Sequence, residues 1–580
     1  MRFNRSRGAT RAIEMKTGWT SRRGEMQTEE NELGPMETGL RNRRSRRLSL
    51  AGDFEGAARN STVNQPSEKP GGEIRTSHFR RGLAFLAIAG ATLTSCGGES
   101  PSADAQSATI LTPPARAIRL PFKEADGFRL SLINNATEGH LTPLPIDDAE
   151  DIEAPAGYEV LLIHGNATSA TLEALGAADF GQVERLSLFF QKGAAVDADA
   201  FAHLTSLSNL RRLKLAGSSV GDEAMRSVGE LAALEHLDLS GTQVTDAGLT
   251  SLASLSELRS FKARVAPIEG AGLNAIAGAE HLESLTLAFC SLGPGAFEAL
   301  GRMSGLKELD LTRTGLTDAA LEPLGGLRRL ETLFADGNPI EGPGLRHLYG
   351  MARLTALSLA DTRIDDAGLA GLGDLSAIRV FCVTGDRLAD SALSAFRRFT
   401  TLHSLAVAGP GLRWDGLADL ENLDSLQVLL LSGGGEPGRA ISARELGALS
   451  RLKSLRVLEL NSIAFEDGAI ERLAGVKSLL GLTLSHQHLD DGDLHALSKL
   501  RQIRHLSLLG SLFVMYDESE SVTAENIHHA LHGIGDWPRS SSFSPRSLDW
   551  LKKALPNCEI YDGDAFGSPT PTPASNRIIG

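Results

Sequence analysis

Four cysteines and 15 histidines are the side chains of this 580-residue chain with the widest chemical reach, as nucleophiles, redox centres or metal ligands. Histidines crowd toward the C-terminal end, at His486, His488, His495, His505, His528, His529 and His532. His528 and His532 stand four apart, which puts both on one helical face as a two-ligand fragment of a zinc site, and Asp490, Asp491 and Asp493 lie near His488. No cysteine pair, HExxH or EF-hand spacing completes a ligand set, so the expectation is solvated surface and no metal. A Walker A motif is absent, and no nucleophile has a general base at a set spacing. The chain therefore reads as non-enzymatic and without a cofactor.

The elements that must position any such residue are set by repetition. The pattern LxxLxL begins at Leu210, Leu234, Leu258, Leu282, Leu306, Leu330, Leu354, Ile378, Leu402 and Leu426, always 24 residues apart. After a 29-residue step it resumes at Leu455, Leu479 and Ile503, and residues 183–188 hold a degenerate copy 27 residues before Leu210. That makes fourteen units, with 158–163 as a candidate fifteenth. Each is followed by a small or polar residue and then a stretch like Val244-Thr245-Asp246-Ala247-Gly248-Leu249. This pattern resembles the leucine-rich repeat family, in its 24-residue ribonuclease-inhibitor-like and cysteine-containing form common in bacterial secreted proteins. The resemblance covers about residues 158–561.

The physics of the unit stands without the family. Alternation in Leu237-Asp238-Leu239 predicts a short strand with leucines inward and Asp238 outward, while Leu249, Leu252 and Leu255 have helical spacing. Asp246 and its equivalents Asp222, Asp318, Asp366, Asp390, Asp467 and Asp491 precede that helix, where a carboxylate caps orphan N–H groups and opposes the macrodipole. One strand-helix unit cannot bury its leucines alone. Stacked neighbours share one core, which predicts a right-handed α/β solenoid with parallel strands on the concave face and helices on the convex one. Turn positions Ser218, Thr242, Cys290, Thr314, Asn338, Thr362 and Asp386 suit backbone bonding, whereas Ala266, Pro410, Gly434 and Ile463 predict looser repeats. Cys290 and Cys382 fall four strands apart, ~19 Å at ~4.8 Å per strand, against a limit of ~7 Å between α-carbons for a disulfide. Cys290 and Cys558 read as buried small residues, and Cys382 as facing outward.

Before the repeats lies an address. Arg80-Arg81 precedes an apolar run of about 14 residues, too short for the ~20 that span a bilayer, and then Leu93-Thr94-Ser95-Cys96. That tetrapeptide resembles the lipobox of bacterial lipoproteins, and the resemblance implies diacylglyceryl transfer to the Cys96 sulfur with cleavage just before it. Two or three acyl chains on one residue anchor a soluble domain firmly, since one chain alone is marginal. The alternative is a short signal anchor. The Arg-rich stretch before residue 79 is long for a signal and points to a translation start further downstream, or else to a cytoplasmic basic tail. Both put the body outside the cytoplasm, in the periplasm or at the cell surface. The expected organisation is a disordered basic region plus signal over 1–95 (signal 79–95), a polar linker over 96–127 and an N-terminal cap over 128–182. Repeats follow over 183–526, a C-terminal cap over 527–561 and a disordered tail over 562–580.

Charge divides unevenly: 17 Lys+Arg against 10 Asp+Glu up to Ser95, a net +7, and 41 against 62 from Cys96 on, a net −21. The acidic body and only 5% aromatics disfavour nucleic acid as the partner. Outward strand positions are polar early, at Arg185, Ser187, Arg212, Lys214, His236, Asp238, Lys262, Glu308 and Asp310. They turn apolar at Phe334, Ala356, Val380, Cys382, Ala406, Val428, Leu430 and Val457. A contiguous apolar stripe on a strand face marks a contact site. The expected contact residues are Phe334, Val380, Cys382, Val428, Leu430 and Val457, taking a protein or peptide. A structural envelope or adhesion component, or a carbohydrate binder, is the alternative.

Overall fold

In the computed structural model, residues 116–118, 128–134, 141–144, 152–154, 158–176, 183–191, 196–217, 219–433, 440–485, 489–508 and 545–561 are described. Cys96, the 79–95 signal, His486, His488, His528, His529, His532, Ser218, Gly434 and the 562–580 tail lie outside them.

A period of 24 residues fixes the pairing of the strands. Ser284 sits beside Glu308, Glu308 beside Thr332, Thr332 beside Ala356 and Ala356 beside Val380, each 24 residues on. Across the 29-residue step Val428 still meets Val457, and the Val428 strand ends at Gly433. Ile441 forms a parallel bridge with Phe465, and a capping box follows at Ser442 and Glu445. Sixteen strands run parallel in one sheet, from Tyr158–His164 to Glu559–Tyr561. Leu237, Leu239, Leu249, Leu252, Leu255 and Leu258 are each no more than 2% exposed. Each such leucine contributes ~1.5–3 kcal/mol only once the next unit covers it.

The convex segments are shorter and tighter than the periodicity predicts. Asp246–Leu249 is one α-turn that continues as a 3-10 turn over Thr250–Leu252, and Ala198–Ser206 and Asp390–Arg398 are 3-10 throughout. A 24-residue unit leaves few residues for its outer arm, and a 3-10 turn rises further per residue than an α-turn.

The aspartates do something other than cap their own helices. Asp246 accepts from the backbone N–H groups of Glu269 at 2.9 Å, Gly270 at 2.9 Å and Gly272 at 2.8 Å, all in the following repeat. Asp318 does the same with Glu341, Gly342 and Gly344 at 2.8, 3.0 and 2.6 Å. Asp222 takes Thr245 N at 2.6 Å, Asp366 takes Ala389 N at 2.8 Å, and Asp390 takes Trp414 N at 2.9 Å. Gly270 and Gly342 have φ of 109° and 127°, and a Cβ at Gly344 would stand 2.4 Å from the Asp318 carbonyl oxygen. Only glycine lets the receiving loop come this close. The cap of the Asp246 helix is Thr245, whose hydroxyl accepts from Ala247 N at 3.2 Å.

The turn that leaves each strand is held from within. Asn338, 2% exposed, accepts from Thr314, Gly315 and Leu316 N–H groups at 2.9–3.0 Å and donates to Leu311 and Ala335 carbonyls at 2.8 and 2.9 Å. The hydroxyls of Thr242, Thr314 and Thr362 each donate to the carbonyl three residues back. The residue before this position is left-handed at Gly241, Val265, Phe289, Arg313, Gly337, Asp361 and Ser462. Ala266 and Ile463 are buried and keep the same preceding left-handed residue, so the looser turns expected there are not found.

Both ends of the sheet carry extra elements. Phe128–Asn134 runs antiparallel to Tyr158–His164 and, on its other side, to Leu141–Leu144. At the far end the Pro545–Ala554 helix buries Leu548 and Leu551, and Trp550 stacks on His495 at 5.1 Å between ring centroids. Along the edge where the chain enters the sheet, charges alternate from repeat to repeat. Glu235 lies 2.7 Å from Arg211 and 3.7 Å from Arg259, and Lys307 lies 2.8 Å from Glu283. The Lys307 hydrogen bond holds the Glu283 carboxyl below its usual range.

Replacing Asp246 with Ala strands three N–H groups of the next repeat and should cost about 2 kcal/mol, while Asn338→Ala, fully enclosed, should cost about 3 kcal/mol. Urea unfolding followed by circular dichroism reads both. A midpoint unchanged by Asp246→Ala would show that the carboxylate is not what joins adjacent repeats.

Candidate functional site

Each strand turns alternate side chains away from the leucine core, and these form two rows across the sheet. One runs Arg185, Arg212, His236, Ser260, Ser284, Glu308, Thr332, Ala356, Val380, Ser404, Val428, Val457. The other runs Ser187, Lys214, Asp238, Lys262, Thr286, Asp310, Phe334, Ser358, Cys382, Ala406, Leu430, Glu459. The face has two halves. From Arg185 to Phe334 these side chains are half-buried or exposed. From Ala356 to Glu459 nearly all are closed to water, with Val428 half-buried.

The apolar stripe forms as a cluster of its own, separate from the leucine core. Ala356, Ala360, Val380, Cys382, Ala406, Ala408 and Leu430 make it up, with Phe334 and Val428 packed at its margin. Among the expected contact residues, Phe334 and Val428 are half-buried, whereas Val380 and Cys382 are 0%, Leu430 1% and Val457 7% exposed. Val457 stands next to Val428 in the sheet and is not part of the cluster. The stripe coincides with longer strands. Those at His236–Asp238 through Thr332–Phe334 hold three residues each, and Ala356–Thr362, Val380–Gly385, Ser404–Gly409 and Val428–Gly433 hold six or seven. Glycine ends three of the longer strands, and a Cβ at Gly409 would meet the Gly385 carbonyl oxygen at 2.7 Å. Neighbouring backbones are thus drawn close where the left-handed turn is missing.

At the boundary between the halves sits a strongly perturbed acid. Asp336 accepts from Ser358 Oγ at 2.5 Å and from Ala360 N at 2.8 Å. Burial pushes its carboxyl up to about 6; these two bonds oppose the shift, and the charges of Asp310 and Asp361 add to it. Two strands further on, burial drives the Cys382 thiol well above its ordinary range, with Asp336 adding repulsion. Cys382 is turned from the core as its position predicts but is sealed, so the outward-facing reading of it is corrected. A buried thiol held protonated is no nucleophile. Cys290 is buried and donates to the Ala263 carbonyl at 3.0 Å, and Cys558 is half-buried with its thiol pushed up to about 12 by burial.

The open half holds a pocket of about 260 Å³ between the strands at Arg185 and Lys262. Arg185 and Arg212 share Glu159, the Arg212 contact at 3.5 Å, and Lys214 reaches Asp238 at 3.8 Å. The charged positions were legible in the sequence as polar outward residues; Glu159, which organises two of them from the first strand, was not singled out.

Two strings match enzyme patterns by letter. Gly217-Ser218-Ser219-Val220-Gly221 fits GxSxG, but Ser219 Oγ donates to the Gln191 carbonyl at 2.9 Å and Val220 is buried in the leucine core. Gly433-Gly434-Gly435-Glu436-Pro437-Gly438 fits GxGxxG, and 434–438 lie outside the described residues. Among the described residues no three His, Cys, Asp or Glu side chains gather as metal ligands, and no helix is long and apolar enough to cross a membrane.

The Leucine Rich repeat family model matches residues 233–253, one copy of the unit that the sheet repeats. The matched segment is a leucine-rich repeat, and the sheet is built from successive copies of that 24-residue unit. Among solved structures it is similar to an internalin of Listeria monocytogenes, 19% identical over 68% of this chain and 88% of that one, with a TM-score of 0.38. It is similar to a leucine-rich repeat protein of Leptospira interrogans, 14% identical over 69% of this chain and 99% of that one, TM-score 0.43. A third likeness is to the complex of TLR13 with ssRNA13, 17% identical over 60% and 56% of the two chains, TM-score 0.39. No curated protein matches.

Asp336 supplies a pH signature. Its carboxyl is raised in the folded chain, so the unfolded chain loses that proton first. Stability from this group is complete below about pH 4 and declines as pH rises toward 6. Asp336→Asn keeps the acceptor oxygen and removes the charge. It should raise stability by about 2 kcal/mol at pH 7.5 and by almost nothing at pH 4. Urea midpoints at the two pH values check this, and an equal effect at both would contradict it.

Proposed function

We propose that this chain is a non-enzymatic scaffold, held outside the cytoplasm by a lipid on Cys96, that takes a protein or peptide along the concave face of its sheet. The observation that carries the reading is the open half of that face. Over Arg185–Phe334 the outward side chains are reachable, polar and charged, and a pocket lies among them. The leucine core and the repeat-to-repeat bonds occupy the rest of each unit. Contact begins over this half and ends at Phe334, where the apolar cluster starts. Val380, Cys382 and Leu430 lie in the cluster beyond that margin and are already removed from water.

A photo-crosslinking residue at Thr286, on the open face, should give a discrete adduct in cells that produce the protein, and one at Lys453, away from that face, should not. Adducts at Lys453 alone would remove the concave reading. For the address, the mature chain should begin at Cys96 with acyl mass, and Cys96→Ser should release the protein from membranes or leave it unprocessed. An unacylated chain beginning near Met1 would overturn the anchor and leave the scaffold untouched.

A further inference from the structure

The sealed half of the sheet face is joined to the open half through one carboxylate. Asp336 follows the Thr332–Phe334 strand, and its Oδ1 accepts two hydrogen bonds from the next strand, Ala356–Thr362. They come from Ser358 Oγ at 2.5 Å and Ala360 N at 2.8 Å. Ser358 is closed to water and stands in register beside Cys382, and Ala360 and Cys382 both belong to the apolar cluster. A line of contacts therefore runs from Asp336 through Ser358 to a thiol inside the cluster.

Three acids meet at this seam, and two arginines pair with the outer ones. Arg264 lies 3.3 Å from Asp310, and Arg313 lies 3.0 Å from Asp361. Arg313 passes Asp336 by. Its side chain lies along Gly337, where a Cβ would stand 2.5 Å from its Cγ, and runs on to Asp361. The charges that act on Asp336 are those of Asp310 and Asp361, both repulsive, and the protonated Cys382 thiol adds none. Ionised, Asp336 thus has two hydrogen bonds, two like charges beside it and little water. A carboxylate so placed gains by admitting water, whereas a neutral carboxyl does not.

We propose that Asp336 is a proton-operated latch on the sealed half of the face: protonated, it holds the outward side of Ala356–Thr362 shut, and ionised, it opens that side to water as far as Cys382. The latch needs no partner on the open half. Closed, the carboxyl is raised from the usual 3.8 to about 6, and hydration on opening returns it toward 3.8. The closed state is therefore favoured most below about pH 4, loses ground up to about pH 6 and changes little above that. Between pH 5 and pH 7.5 this difference shifts the opening equilibrium by about tenfold.

Labelling the thiols of the full chain with N-ethylmaleimide, followed residue by residue by mass spectrometry, tests the latch. Cys290 is the internal reference, buried in the leucine core four strands from Cys382. Global unfolding exposes both thiols alike, and the ratio of their rates cancels the thiolate fraction. The ratio of Cys382 to Cys290 labelling should rise about tenfold from pH 5 to pH 7.5 and level off above about pH 6.5. Asp336→Asn, which cannot ionise, should keep the ratio flat. A flat ratio in the unaltered chain, or one still climbing at pH 7.5, overturns the latch whether or not the variant folds. So does a rise that Asp336→Asn retains while circular dichroism shows it folded, because another group then drives the opening.

Discussion

The leucines of one repeat have no partner within that repeat. Leu237 and Leu239 face a core that Leu213 and Leu215 close from one side and Phe261 and Ala263 from the other, and all six are 2% exposed or less. Burial is therefore a property of the stack, and whatever keeps adjacent units in register keeps the core. Three sets of polar contacts do this at three levels of each unit. Alternating charges tie the edge where the chain enters, Asn338 and the threonines tie the turn that leaves, and the Asp246-type carboxylates tie the outer arm. A shift of one repeat would break every tie it makes to its neighbours, and across the 29-residue step the register is kept, with Val428 beside Val457.

Where those ties change, the face of the sheet changes with them. From His236–Asp238 to Thr332–Phe334, where a left-handed residue follows at Gly241, Val265, Phe289, Arg313 and Gly337, the strands are short and outward side chains stay near water. Between Ala356 and Gly433 the turn residue is lost in three successive units, and glycines let backbones close to within 3 Å of a notional Cβ. The strands lengthen, and two further outward positions join the sheet. Those positions are filled with Ala360 and Ala408, small enough to pack beside Val380 and Leu430. The second hydrophobic cluster spans the repeat that keeps its left-handed turn at Asp361 and those that lose it, so the apolar residues themselves carry it and the missing turns extend it.

This explains which parts were legible in advance. The leucine period gave fold, strand register and core directly, because a repeated burial pattern has one solution. Asp246 and its equivalents were visible as a recurring acid before the outer arm. Their partners lie 23 to 26 residues on, in a loop that approaches closely only because Gly270 and Gly272 are there, and a helix cap is the local reading that propensity favours. Cys382 was correctly turned from the core, yet alternation along one strand says nothing about how deeply a face is closed. Asp336 is not legible in the same way, since its raised carboxyl depends on burial in the folded sheet, with the charges of Asp310 and Asp361 adding to it.

The division of the face also limits how a partner can be held. Val380, Cys382 and Leu430 are already removed from water, so covering them again returns little hydrophobic free energy. Binding strength must come from the open half, where the surfaces still exposed are charged or small. Charged contacts of that kind contribute more to the choice of partner and to the rate of encounter than to tight holding. Phe334, half-buried at the margin of the cluster and one strand from Asp310, and Phe189, exposed at the end of the Arg185 strand, are large apolar side chains available to add to them.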